Sequence, residues 1–315
     1  MSTGFIAHFK TSSQEVISIY NSDEKLVDIF VQRARKLNLN EIIAGNISSY
    51  NKTLGGYFVQ TSKNQPIFIP SKEKYTIGQA VFVEVTKEAR LGKEATGTFT
   101  LKEPYLPNLV EIAQKKYPFP IKTVYQISED IEDALQSTIP FADGALLLIE
   151  RTNALWTIDV DSSKSTLPLQ EINKLAIPII AEQIKLKNLS GMILIDFAGF
   201  KSQTQKKELL SSLKMQFRLD EKTKIYDFTK MNLLEIKRAR TNASLFDLFY
   251  TPDNKKTPDY INLLIKEKLT QIKTGYPVLE IHPAQIPFLD EEIKKSVKIK
   301  NNLNIETDFF DLKEK

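Results

Sequence analysis

Apolar positions in the first third of the chain recur in short runs that alternate with polar ones. Val16, Ile17 and Ile19 give way to Val27, Ile29 and Phe30, and then to the basic Arg33, Arg35 and Lys36. These runs are too short to decide between a strand pair and a strand with a short helix. The pattern from 41 to 101 is better defined. β-Branched segments at 42–47, 57–59, 67–69, 80–85 and 97–101 are divided by Asn51-Lys52, Gly55-Gly56, a polar run at 62–66, Gly78 and Gly92. About five short strands with such breaks predict a small β-barrel, for which the OB-fold is the commonest architecture.

Four of the 14 prolines (Pro104, Pro107, Pro118, Pro120) crowd the next stretch, which reads as a linker around one short helix. A helical pattern from Ile131 leads to Pro140. Two apolar runs at 145–150 and 154–159, separated by Arg151-Thr152-Asn153, have the signature of a hairpin. Helical spacing of Ile172, Leu175, Ile179, Ile180 and Ile184 predicts a helix over 169–187 that is kinked or started late by Pro178 and capped by Gly191. A buried strand at 192–197, a helix at 203–217, a strand at 224–227 and a helix at 233–240 follow. Strand–helix alternation from 154 to 228 predicts a mainly parallel sheet. The tail reads as a small strand–helix–strand unit around 279–282, 287–297 and 303–307.

Composition narrows the chemistry. The chain has 315 residues, 42% of them hydrophobic and 26% charged, which suits a folded protein of two or three lobes. Cysteine is absent and only two histidines occur, which excludes disulfides, thiol nucleophiles and cysteine-ligated zinc, and argues against a histidine-dependent triad. Carboxylates, lysines and a hard cation are the tools left. No run approaches the ~20 apolar residues that span a bilayer, and the first residues lack a secretory pattern, so no membrane association and a cytoplasmic location are expected. The net charge of +4 is mild, but residues 201–240 hold 11 Lys+Arg against 5 Asp+Glu. Such a stretch is either a solvated face or a flank for a polyanion.

Two acids occupy unusual places. Asp159 and Asp196 each close an apolar strand-like run, and parallel strands joined by one crossover would bring both to the carboxyl-terminal edge where ligands collect. Asp161, two positions on, points to the same side as Asp159 if the strand continues. Clustered carboxylates repel unless a cation intervenes, and Mg²⁺ takes one or two of them with waters and phosphate oxygens. A lone strand-end aspartate is more often a cap or turn residue. In the barrel, Phe58 and Phe68 lie on different strands, with Lys87 and Lys93 beyond. They fit either core packing or base stacking with backbone tracking along a single strand.

These residues resemble the ribonuclease E/G endoribonucleases. The run from Gly144 through Asp159 to Ser162 is similar to the family's first catalytic motif, that from Ile180 to Phe197 to its second, and that from Phe228 through Glu235 to Arg240 to the signature that follows. The resemblance is strong over 130–240, moderate over the barrel and weak beyond 276. It implies an α/β catalytic core, RNase H-like and DNase I-like, with an inserted all-β OB-fold RNA-binding domain. The corresponding organisation is an N-terminal part of the RNase H-like core at 1–40, the barrel at 41–101, a linker and core remnant at 102–143, a catalytic domain at 144–250 and a small α+β unit at 251–315. Asp159 and Asp196 match the family's metal aspartates. Phe58, Phe68, Lys87 and Lys93 match its barrel contacts to RNA, and Arg238 and Arg240 match motif arginines with a phosphate-binding or supporting role. The chain departs from the family at Asp161, where asparagine is usual, and around Ala198-Gly199, where a further acid is common. The segment that senses 5′-monophosphate ends is almost wholly missing, which implies indifference between 5′-phosphate and 5′-hydroxyl RNA. The zinc-binding cysteine pair that links subunits is absent, so neither zinc nor a zinc-linked dimer is expected.

The expected function is Mg²⁺-dependent (or Mn²⁺-dependent) endonucleolytic cleavage of single-stranded RNA in RNA processing or decay, with Asp159, Asp196 and Asp161 as catalytic residues, leaving 5′-phosphate and 3′-hydroxyl ends. The alternatives are a single-stranded RNA-binding protein that has lost turnover, and a nuclease that also accepts single-stranded DNA.

Overall fold

The computed structural model describes residues 4–90, 93–199, 202–272 and 275–313. Gly92, expected as a break between strands, Lys201 of the basic stretch and the first three residues lie outside them. The chain forms two compact units, residues 1–131 with 241–315, and residues 132–240.

In the first unit, β1 (Phe5–Lys10), β2 (Gln14–Tyr20) and β3 (Leu26–Arg33) form an antiparallel meander. Ile6, Ile17 and Ile19 of this sheet bury themselves against Leu109 and Ala113 of α1 (Leu109–Lys116). The Asn108 side chain starts that helix by accepting the amides of Val110 and Glu111. The barrel comprises β4 (Ile42–Asn51), β5 (Gly56–Thr61), β6 (Pro66–Pro70), β7 (Ala80–Lys87) and β8 (Ala95–Thr100), closed in the order β4-β5-β6-β8-β7. Alternation along each strand sends Ile47, Val59, Ile67, Ile69, Val83 and Val85 inward as one core. This closed barrel is consistent with an OB-fold.

The chain then adds β9 (Ile121–Thr123), parallel to β1, and α2 (Ser128–Leu135). The first amides of α2 have a distant partner: Glu267 Oε1 accepts from Ile127 N at 2.5 Å and Ser128 N at 2.9 Å.

The second unit is a six-stranded sheet in the order β10-β11-β12-β13-β15-β14. Its strands are β10 (Thr138–Phe141), β11 (Ala145–Arg151), β12 (Leu155–Asp161), β13 (Gly191–Asp196), β14 (Thr223–Phe228) and β15 (Leu234–Arg238). The expected hairpin is β11–β12. The expected parallel sheet is not found: only β12 and β13 are parallel, and the other neighbours are antiparallel. One reason is that 233–240, expected as a helix, holds the strand β15, whose alternation of buried Leu234, Ile236 and Arg238 with exposed Glu235 and Lys237 has period two. Helices α3 (Leu169–Leu186) and α4 (Gln203–Gln216) pack on each other and on this sheet. Helix α3 runs from Leu169 to Leu186 with Pro178 inside it, so of the two expected outcomes, a kink or a late start, the late start is not found. Its end is made by Lys187 and by Asn188 at a φ of 49°, not by Gly191, which instead opens β13.

Helices α5 (Leu245–Phe249) and α6 (Pro258–Gln271) return the chain to the first unit. The tail carries β16 (Val278–Ile281), a 3₁₀ turn at Pro283–Phe288, α7 (Glu291–Ser296), β17 (Lys298–Asn301) and β18 (Phe310–Lys313), with β16 in the centre of its sheet. Residues 303–307, expected as a strand, are not one; the third strand lies later, at β18. Buried Asp290 anchors the tail, accepting from Ser13 N and Oγ (3.1 and 3.0 Å) and from Arg35 (3.2 Å). No described helix is long and apolar enough to cross a membrane.

Candidate active site and nucleic-acid surface

One face of the second unit's sheet is apolar and covered: Leu147, Ile149, Trp156, Ile158, Val160, Ile193 and Ile195 are buried. Period-two geometry then turns Thr157, Asp159 and Asp161 of β12, and Met192, Leu194 and Asp196 of β13, to the opposite face. Asp159 and Asp196 are register partners across the parallel pair, and both are exposed. Among the described residues neither carboxylate has a hydrogen-bond or ion-pair partner. Burial raises the Asp159 carboxyl above its ordinary range, and the charges of Asp196, Asp161 and Glu150 raise it further. Asp161 holds the following turn, accepting from Ser163 N at 2.8 Å.

The loop after Asp196 is pinned from the covered side. Buried Asn173 of α3 donates its Nδ2 to Ala198 O at 2.6 Å, and the Phe197 ring lies 6.3 Å from that of Phe228. No group of three or more acid, histidine or cysteine ligands exists among the described residues. The donor set for a cation here is the carboxylate pair. Two exposed, unpartnered, mutually repelling oxygen ligands fit a hard divalent ion that keeps several waters.

In the barrel, Phe58 of β5 and Phe68 of β6 face outward, since their neighbours Tyr57, Val59, Ile67 and Ile69 fill the interior. The two are register partners with ring centroids 5.3 Å apart. Gly56 makes room for this: a Cβ there would come within 2.8 Å of Phe68 Cζ and 2.3 Å of Ile69 O. Register extends the row from Phe68 to Thr96 of β8, and from Thr96 to Lys87 of β7. Two aromatic rings, a hydroxyl and an ammonium therefore lie side by side across four strands. Lys93 is exposed and bridges through its backbone to Arg90. Thr96 was invisible to sequence reasoning because the signal is cross-strand register, which no local pattern carries.

The two motif arginines lie elsewhere. Arg238 is on the covered face, 7% exposed, with Nε 3.1 Å from Asp220 Oδ2 and Nη1 bonded to Asn188 Oδ1 (2.7 Å) and Leu189 O (3.2 Å). Its guanidinium is held by these three partners inside the unit. Arg240 packs on Gly191, where φ is +97° and a Cβ would fall 1.9 Å from Arg240 Nη2. Among the described residues, strand register puts Lys237, which pairs with Met192, and Lys224, which pairs with Lys237, on the aspartates' own face. They stand about 13 Å along the strands from Asp196, at ~3.3 Å per residue. Lys224 carried no signal in the sequence beyond its membership of a basic stretch.

Comparison with known proteins fits this arrangement to a class. The model of the ribonuclease E/G family matches residues 76–241, and the chain belongs to that family. The match contains Lys87, Lys93, both aspartates and both arginines, and leaves out Phe58 and Phe68. Ribonuclease G of Escherichia coli is 28% identical over 166 residues, covering 50% of this chain and 34% of that protein. Ribonuclease G of Haemophilus influenzae is 34% identical over 133 residues, 40% of this chain and 27% of its own length. Ribonuclease E of Synechocystis is 30% identical over 154 residues, 47% of this chain and 23% of its own. The matched region thus spans about a third or less of each of these relatives.

Proposed function

We propose that this chain is a cytoplasmic Mg²⁺-dependent endoribonuclease that cuts single-stranded RNA in processing or decay and leaves 5′-phosphate and 3′-hydroxyl ends. The observation that carries the reading is the register pairing of Asp159 with Asp196 at one exposed strand end. A divalent ion held by these carboxylates would neutralise charge on the phosphodiester and acidify a water. Asp161 adds negative charge on the same face and fixes the turn beside it. Phe58 and Phe68 offer stacking surfaces for bases, and Lys87, Lys93, Lys237 and Lys224 neutralise phosphates. In this reading the 1–40 segment belongs to an RNase H-like region, 41–101 is the RNA-holding barrel, 144–250 is the catalytic, DNase I-like region and 251–315 a supporting unit.

The test is incubation of the purified chain with a labelled single-stranded oligoribonucleotide, with Mg²⁺ and with EDTA. Mg²⁺-dependent internal products support the reading, and intact RNA in both conditions refutes it. One observation favours a second reading, an RNA-binding protein without turnover: Ala198 and Gly199 stand where the motif it resembles commonly has a further acid, and the described residues hold no group of three ligands. Tight binding without products in the same assay would select it.

A further inference from the structure

Asp159 and Asp196 are the last register pair of the β12–β13 ladder. Beyond them the chain enters two separate connections, one leading to α3 and the other to α4. Mg²⁺ takes its oxygens at about 2.1 Å in near-octahedral geometry, so the separation of two ligating carboxylates has to be held on both sides of the pair. The ladder holds one side. On the other, Asn173 supplies a tie. It lies in the second turn of α3, the helix that follows Asp159, and its Nδ2 donates at 2.6 Å to Ala198 O, two residues past Asp196. Gly199 closes on the same helix: a Cβ there would stand 3.3 Å from Leu169 Cδ1, and its φ of +24° lies in the region that favours glycine.

Stability does not account for an asparagine at this place. Asn173 is 1% exposed, and its Oδ1 has no hydrogen-bond partner among the described residues. A buried amide oxygen left so costs at least as much as the single bond of Nδ2 returns. An apolar side chain, like the buried Ile172, Ala176 and Ile177 of the same helix, would pack there without that cost. What the amide provides and an apolar residue cannot is the bond to Ala198 O. We propose that Asn173 is a positioning residue for the carboxylate pair. By tying the helix that follows Asp159 to the loop that follows Asp196, it fixes the separation of the two carboxylates for a divalent ion. The proposal rests on the nuclease reading in one respect, that a cation sits on this pair. Replacing residues that orient metal ligands from behind typically costs about 10-fold to 100-fold in metal affinity.

Titration of the metal-free full chain with Mn²⁺, followed by the EPR signal of the free ion at a temperature well below the Tm, tests the proposal. The chains compared are wild type, Asp196→Asn, Asn173→Leu and Gly199→Ala. We expect Asp196→Asn to weaken Mn²⁺ binding at least tenfold. Asn173→Leu should weaken it about tenfold, with a metal-free Tm no lower than that of wild type. Gly199→Ala pushes the same loop off Leu169 and should weaken Mn²⁺ in the same direction, so it decides the case if Asn173→Leu does not fold. Affinity within about twofold of wild type in the deciding variant overturns the proposal, because a merely structural asparagine would lower the Tm and spare the affinity. That result alongside lost binding in Asp196→Asn refutes the role of Asn173 alone and leaves the nuclease reading standing. A wild type that binds no Mn²⁺, or an Asp196→Asn chain that binds it as wild type does, refutes the cation site itself and this proposal with it.

Discussion

Asp159 and Asp196 are 37 positions apart in the chain and directly opposite each other on neighbouring parallel strands. Nothing among the described residues neutralises either of them. Like charges so placed work against the fold unless a cation joins them, and the raised Asp159 carboxyl records that repulsion together with its burial. The sign follows: a carboxyl whose folded value lies above its unfolded value binds its proton more strongly when folded, so ionisation destabilises as pH rises above the unfolded value near ~4. Asp159→Asn or Asp196→Asn should therefore leave the Tm of the metal-free protein unchanged or higher. Mn²⁺ or Mg²⁺ should raise the wild-type Tm and not that of either variant, and cleavage should fall at least a hundredfold in both. A clear drop in Tm, or full cleavage by both variants, would remove the pair from the site.

The outward pairing of Phe58 and Phe68 separates binding from stability. Neither ring is part of the barrel core; each is half-buried, and truncation would lose part of a side chain's burial together with their mutual contact, the latter about 0.5–1.5 kcal/mol. Stacking on a base is worth about 1–3 kcal/mol. Phe58→Ala and Phe68→Ala should each weaken binding of a single-stranded oligoribonucleotide by about 5-fold to 150-fold in fluorescence anisotropy, with a small change in denaturation midpoint. Unchanged affinity in the double variant would mean the pair is only a surface contact.

How far the sequence carried these features depended on whether the signal was local. Alternation along 42–101 announced the barrel, because inward positions such as Val59, Ile67 and Ile69 must be apolar. The resemblance singled out Asp159 and Asp196, and the β-like runs ahead of them already put them at strand ends. What failed was whatever rests on contacts distant in sequence. Residues 234–238 have few positions to show a period, and only pairing with β13 and β14 makes them a strand. The same holds for Arg238: an arginine in a basic stretch reads as surface, and its enclosure depends on Asp220, Asn188 and Leu189 arriving from other elements. Gly191 was legible as special and misread as a helix end, because its positive φ serves strand entry and the seat of Arg240 instead.

Arg238 should behave as a structural ion-pair partner. Burial pushes the Asp220 carboxyl up, but the Arg238 guanidinium, aided by hydrogen bonds from Thr223 and Lys222 N, outweighs this and holds it below the usual range. A depressed carboxyl contributes stability that is present above the unfolded value near ~4 and is lost as pH falls through the folded value. Arg238→Met leaves Asp220 without its partner and should cost about 3–5 kcal/mol of unfolding free energy at neutral pH. The stability that the wild type loses below ~4 should be smaller in the variant. RNA affinity of the folded variant should stay within about twofold of wild type, measured at a temperature well below its Tm. A large loss of affinity with unchanged stability would return Arg238 to the RNA surface.

Lys187 gives the opposite sign. It is fully enclosed at the end of α3, and its ammonium donates to Ala134 O at the end of α2. Burial pulls it down, Glu182 only partly compensates, and it titrates at about 8. A lysine depressed on folding is bound by more protons in the unfolded chain between about 8 and the ordinary value of 10.5, so stability rises with pH across that window. Below it the buried charge costs on the order of 3 kcal/mol. Lys187→Met keeps the stem's packing, removes the charge and gives up one hydrogen bond of ~1 kcal/mol, so urea denaturation at pH 7 should show a net gain of about 1–2 kcal/mol. The rise in wild-type stability above pH 8 should flatten in the variant. If Lys187→Met is instead destabilised at every pH, the bond to Ala134 outweighs the buried charge and the lysine serves the junction of α2 and α3 as a cation.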